Sequence, residues 1–324
     1  MNIQKKIAEE LNIKEWQVEA VIKLIDEGNT IPFIARYRKE AHGSLDDEQL
    51  RNLSERLAYL RNLEEKKQQV LASIEEQGKL TEELKKQILE AQTQVVVDDL
   101  YRPYRPKRRT RATIAKEKGL DGLAQIILVQ ETTKSLEEEA QSYLSEEKGV
   151  ETVKDAIDGA RDIIAEQISD EADYRMYIRK LTMEEGVITS TAKDEKEQSV
   201  YEMYYEFQEQ VSKIAGHRVE KEKMLVIRLI APEERILQYL RKKVITAENA
   251  NTKPVLAEAV EDSYKRLIAP AIEREVRNEL TEKAEDGAIR VFGKNLEQLL
   301  MQPPIAGQVV LGWDPAFRTG CKIS

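Results

Sequence analysis

From Leu256 to Leu280 apolar side chains return at every fourth position, through Val260, Tyr264, Ile268, Ile272 and Val276. Only a helix, with its 3.6-residue turn, gathers such a series on one face; a strand would divide it between the two faces of a sheet. The chain must therefore form a long helix here and supply something for that face to pack against. Pro270 stands inside the series. It has no N–H to donate and its ring crowds the preceding turn, so it is expected to kink the helix or to begin a new one after a short break. The pattern then continues through Val291, Phe292 and Leu299 until Pro303 and Pro304 stop it.

The same reading applies to most of the chain. Leu50, Leu53, Leu57, Leu60, Leu71 and Ile74 form a one-sided stripe over Asp46 to Gln77, with Gly78 where a C-terminal cap belongs. Ile7 and Leu11, then Val18, Val21, Ile22 and Ile25, predict two earlier helices, and "NTIPFIARYRKE" predicts a short one with Pro32 near its start. Thr81 and Ser135 stand where N-caps are needed. Helical periodicity returns over 153–181 and in "PEERILQYLRKKV". The clear β signals before the C-terminus are "GVITST" and "KMLVIRLI". "GQVVLGWDPAFRTGCKIS" reads as a strand at Val309–Leu311 and its turn, opening a domain whose remainder is expected beyond Ser324. The expected fold is mainly α: an elongated multi-helix assembly with long helices and a few short β-strands.

Composition narrows the function classes. No apolar run approaches a membrane span, and the N-terminus lacks the apolar core of a signal peptide. A single cysteine, Cys321, and two histidines, His42 and His217, argue against a disulfide framework and against a Cys/His zinc site. A cytoplasmic location is expected, with no membrane partner. There is no Walker-type phosphate loop and no paired-glycine dinucleotide fingerprint, so no cofactor is expected.

Against a formal net charge of -9, the stretch from Arg102 to Lys118 holds eight basic residues and one acidic residue, Glu117. Pro103 and Pro106 forbid a regular helix between Leu100 and Lys107 and predict an exposed, restricted loop. Arginine's planar fork matches phosphate oxygens, and the interleaved Tyr101 and Tyr104 could stack on unpaired bases. Arg102, Arg105, Lys107, Arg108, Arg109 and Arg111, with the two tyrosines, are the candidate nucleic-acid contacts. The competing role for these cations is pairing with acids on neighbouring helices.

"EGNTIPFIARYRKEAHGSLDDEQLR", "DDLYRPYRPKRRTRATIAKEKGL", "DEKEQSVYEMYYEF" and "DSYKRLIAPAIEREVRNELTEKAEDGAIRVFGKNLEQLLMQPP" resemble segments of the Tex family, bacterial RNA-binding transcriptional accessory proteins. The resemblance covers nearly the whole chain. It implies a helix-turn-helix-like N-terminal part within residues 1–100, a basic loop and helical region over 101–185, a small β element with long helices over 186–304, and the opening of a YqgF/RNase H-like domain over 305–324. Trp313 and Ala316 depart from the usual Gly-Val-Asp-Pro-Gly opening. The family pattern also implies extra residues between Val219 and Glu220, which are therefore expected not to be bonded neighbours.

The function implied is nucleic-acid binding in support of transcription, without catalysis, on RNA or single-stranded DNA and mainly through phosphate. Transcription or ribosomal machinery is a further expected partner. Two alternatives stand beside it: a nuclease or resolvase acting through the YqgF-like domain, and a protein-interaction scaffold. Asp314 matches the first carboxylate of RNase H-like nucleases, but one carboxylate cannot hold the two metal ions of that chemistry. Neither a catalytic residue nor a metal ligand is assigned. In "PFIARYRKE", Phe33, Ile34 and Tyr37 are expected in the core, with Arg36 and Arg38 on the surface or in ion pairs rather than on nucleic acid.

Overall fold

The computed structural model describes residues 2–106, 108–192, 204–214, 225–303, 306–307, 309–316 and 320–323. The Val219–Glu220 junction lies outside them. The fold is mainly α, as its apolar periodicity requires. Two compact units divide the chain: residues 1–186 with 231–273, and residues 187–230 with 274–324.

The first unit is helical. α1 (Ile3–Leu11), α2 (Glu15–Asp26), α3 (Ile31–Tyr37) and α4 (Lys39–His42) lead into α5 (Asp47–Glu76), which is followed by α6 (Glu82–Glu90) and α7 (Gln94–Tyr101). Asp46 starts α5 with a reciprocal cap: its carboxylate accepts from the Gln49 N–H at 2.7 Å, and the Gln49 side chain accepts from the Asp46 N–H. Gly78, at φ +65°, ends it. Between these caps Leu50, Leu53, Leu57, Leu60, Leu63, Val70 and Ile74 are buried against Ile7 of α1, Val18 and Val21 of α2, Ile34 of α3, Ile88 of α6 and Val97 of α7. Each such side chain contributes about 1.5–3 kcal/mol of burial. Lys67 interrupts the stripe yet is fully buried. Its ammonium donates to the Leu89 carbonyl at 2.8 Å, at the C-terminal end of α6, and to Glu64 at 3.0 Å. The cation thus satisfies a carbonyl that the helix end leaves open.

The rest of this unit surrounds α11 (Val153–Asp170), whose Ala156, Ala160, Ile163, Ile164 and Ala165 are fully buried. α8 (Arg111–Glu117), α9 (Asp121–Val129), α10 (Leu136–Gln141), α12 (Ala172–Glu185), α13 (Glu233–Val244) and α14 (Lys253–Asp262) complete it. Gly159 permits the close approach of α11 to Leu120, since a Cβ there would lie 2.3 Å from the Leu120 Cδ1.

The run is not broken at Pro270. A π-helical turn over Ser263–Ile268 joins α14 directly to α15 (Ala269–Leu300), and the Ala269 N–H reaches back five residues to the Tyr264 carbonyl. The wider turn makes room for the proline ring and rearranges the bonds that its missing N–H would leave unmade. Tyr264 and Ile268 remain buried through the turn.

In the second unit, β1 (Val187–Ala192) is the centre of an antiparallel sheet ordered β2-β1-β3, with Ser190 opposite both Phe207 of β2 (Glu206–Gln210) and Ile227 of β3 (Leu225–Ile230). The sequence reading anticipates β1 and β3 but not β2. "EFQEQ" has no β-branched residue, and its strand geometry comes from pairing with β1. Arg277 of α15 donates to the Ile227 carbonyl at 2.8 Å, covering a polar group on the sheet. At the C-terminus the expected strand at Val309–Leu311 is not formed. The strands are β4 (Trp313–Ala316) and β5 (Gly320–Ile323), paired as an antiparallel ribbon, and Val309 is fully exposed. A two-stranded ribbon has only edges, so Pro315 is tolerated within it. Among the described residues no helix is long and apolar enough to cross a membrane.

Candidate nucleic-acid interface

The basic segment begins where α7 ends, and its root is held from beneath. Asp99 of α7 is buried, and its carboxylate accepts from Arg175 Nε at 2.7 Å and from Arg179 Nη2 at 2.8 Å, both on α12. Arg175 and Arg179 stand four residues apart, so one helix face presents both forks to one carboxylate. Short charge-assisted bonds of this kind are the strong ones. Neither the Asp99 carboxylate nor its arginines can be singled out by sequence spacing, because they come from helices far apart in the chain.

Just beyond, Tyr101 packs half-buried against the core, with its hydroxyl 2.9 Å from Ser73 Oγ. Tyr104 is half-buried too, and its carbonyl accepts from Gln77 Nε2 at 3.0 Å. The Tyr101 side chain and the Tyr104 backbone thus brace the loop on α5 and its C-cap. Arg102 turns back to Asp170 at 3.2 Å, the intramolecular pairing that competes with nucleic-acid contact. The loop is shorter than its charge suggests. Thr110 and Thr113 form a reciprocal cap, α8 starts at Arg111, and Arg111 belongs to a helix rather than to the loop. Lys107 lies outside the described residues. Arg105, Arg108 and Arg109 project outward and are exposed. Arg109 lies 3.3 Å from Glu117, with both side chains mostly in solvent, an ion pair worth little.

Beside the loop lies an open cleft of about 760 Å³. Arg105, Lys79 and Lys116 contribute cations to its lining, and Glu76, Glu166, Asp170 and Glu171 contribute acids. A polyanion would meet repulsion inside this cleft and attraction only at the outer rim of the loop.

The "PFIARYRKE" segment departs from expectation. Ile34 is buried, but Tyr37 is 56% exposed and lies on the surface, not in the core. Neither Arg36 nor Arg38 forms an ion pair with another described residue. Among the described residues no cluster of His, Cys, Asp or Glu could hold a metal ion. Asp314 stands on β4, and its side chain is outside the described residues.

Residues 1–75 match the Tex-like protein N-terminal domain, and residues 131–292 match the Tex central region-like family. The chain belongs to the Tex family. It is 49% identical to the protein YdcI of Bacillus subtilis over 99% of its own length and 46% of the relative's. With the transcriptional accessory protein Tex of Neisseria gonorrhoeae it shares 41% identity over 99% of itself and 44% of that protein. With the human S1 RNA-binding domain-containing protein 1 it shares 30% over 98% of itself and 34% of that protein. The chain spans less than half the length of these curated relatives. Arg102 to Arg111 fall between the two matched regions of the Tex family.

Proposed function

We propose that this chain is part of a non-catalytic transcriptional accessory protein and contacts single-stranded nucleic acid, RNA or DNA, through phosphate. The observation that carries this reading is the loop after α7. An acidic protein projects Arg105, Arg108 and Arg109 from it into solvent, while the loop's root is clamped by Asp99 and braced by Tyr101 and Tyr104. A braced loop loses little conformational freedom on binding, and phosphate contacts of this type carry little sequence preference. The names of the bacterial and human relatives agree with transcription and RNA. A cytoplasmic setting, with transcription or ribosomal machinery nearby, belongs to the same reading.

The test is fluorescence anisotropy of labelled oligouridylate and oligothymidylate against the chain over a salt series. Affinity is expected to be weak and to fall steeply with salt. Replacing Arg105, Arg108 and Arg109 with Ala should lower the logarithmic slope by about 0.7 per lost contact, with helicity unchanged. A triple variant that keeps the affinity but melts earlier would make the loop a structural clasp instead. Metal-dependent cleavage of these strands, abolished by Asp314→Asn, would replace the non-catalytic reading with the nuclease one.

A further inference from the structure

We propose a second contact for a single strand, on the face formed by α3 and the start of α5, where Arg36, Lys39 and Arg51 receive a phosphate and Tyr37 receives an adjoining base. This inference rests on the reading of the chain as a nucleic-acid binder but uses a different surface from the loop after α7.

A cleft of about 780 Å³ opens here, walled by Ile31, Pro32, Ala35 and Leu45. Arg36, Lys39 and Arg51 line it and are exposed, and none of them pairs with an acid among the described residues. Asp46 and Asp47 line it as well, but the Asp46 carboxylate is committed to the first turn of α5 through the Gln49 N–H. The cleft therefore holds three cations without ion-pair partners against two carboxylates, Asp46 and Asp47.

Of these cations Arg36 also neighbours an aromatic pair on α3, Phe33 and Tyr37, which a further arginine, Arg38, adjoins. The Arg38 guanidinium lies 5.3 Å from the Phe33 ring centre, the Arg36 guanidinium 6.0 Å from that of Tyr37, and the two rings are 5.2 Å apart. A guanidinium resting on a ring keeps its N–H donors, which lie in its own plane, free for phosphate oxygens. Its side-chain freedom is also partly lost before a ligand arrives, which lowers the cost of binding. Tyr37 has more than half its surface in water. A large ring is not kept out of the core by chemistry, so its exposure beside unpaired arginines matches what recognition of unpaired nucleotides needs.

Anisotropy with the same two oligonucleotides tests the site on the whole 324-residue chain. Arg36→Gln combined with Arg51→Gln should reduce the logarithmic salt slope by about 0.7 per lost contact, with the loop arginines intact. Tyr37→Ala should weaken binding about fivefold or more. Oligonucleotides carrying 4-thiouridine, photo-crosslinked to the unmodified chain, should label the peptide that contains Tyr37, a result independent of variant folding. If the loop triple variant loses affinity while the Arg36/Arg51 and Tyr37 variants match the unmodified chain and no label appears at Tyr37, this site is refuted and the loop reading stands. If the unmodified chain binds neither oligonucleotide, both readings fall.

Discussion

Asp99→Ala is expected to be among the most damaging single substitutions in the helical unit. Asp99 retains 4% of its surface in water and Arg175 only 1%, so neither charge can be rescued by solvent without local opening. Removing the carboxylate takes away charge-assisted bonds of 2.7 and 2.8 Å from two guanidinium groups, that of Arg175 buried. Breaking a buried pair from one side costs about 3–5 kcal/mol, a large share of the roughly 5–15 kcal/mol that stabilises a folded domain. Asp99→Asn should cost less, because one acceptor oxygen survives while an amide N–H₂ now opposes the second arginine. Asp99→Leu combined with Arg175→Met should recover part of the loss, since two buried charges vanish together and the remaining Arg179 is partly solvated. Urea titrations followed by far-ultraviolet circular dichroism give the order, and amide exchange in α7 and α12 localises it. A loss below about 1 kcal/mol for Asp99→Ala would refute the claim that this carboxylate clamps α7 to α12. So would a double variant weaker than the single.

Further outcomes follow from other contacts. Lys67→Met keeps the apolar stem but strands the Leu89 carbonyl, and should cost about 1–3 kcal/mol in the same titration. Gly159→Ala should destabilise despite alanine's better helix propensity, because overpacking against Leu120 costs about 1–3 kcal/mol; Gly287→Ala, with open space around it, should gain up to about 1 kcal/mol. Two acids should give opposite pH trends. The Arg56 fork at 2.6 and 2.8 Å holds Glu10 below its ordinary pKa against opposing desolvation, so its stabilisation is present above the unfolded pKa and lost as pH falls through the folded one. The deficit of Glu10→Gln should therefore grow as pH rises from about 3 to 6. Burial pushes Asp162 above its ordinary pKa despite Arg266 and Arg111, so its contribution is present in acid and lost as pH rises. Asp162→Asn should accordingly gain on the unmodified chain over the same pH range, and thermal melts at each pH would expose a reversed slope for either variant.

The helices were legible from the sequence because their determinants are local. An apolar residue every third or fourth position, Thr81 as a cap, and Gly78 beyond the last turn specify α5 and the start of α6 without reference to any partner. The exposed loop after α7 was legible for the same reason, since prolines and clustered charge act on the chain where they stand. What needed the tertiary structure was everything decided by neighbours distant in sequence. β2 exists because β1 offers its edge, and Tyr101 serves the core because Ser73 and α5 lie beneath it. Pro270 is carried through by a π turn while Tyr264 and Ile268 on either side stay in the core. Tyr37 faces water because Ile34 and Ala35 already fill the inward face of a helix only seven residues long. Asp99 and Arg175 lie 76 positions apart, and no pattern of spacing in the chain could announce that they meet. Local periodicity dictates which elements form; burial and long-range pairing dictate which of their charged and aromatic side chains remain free to meet a ligand.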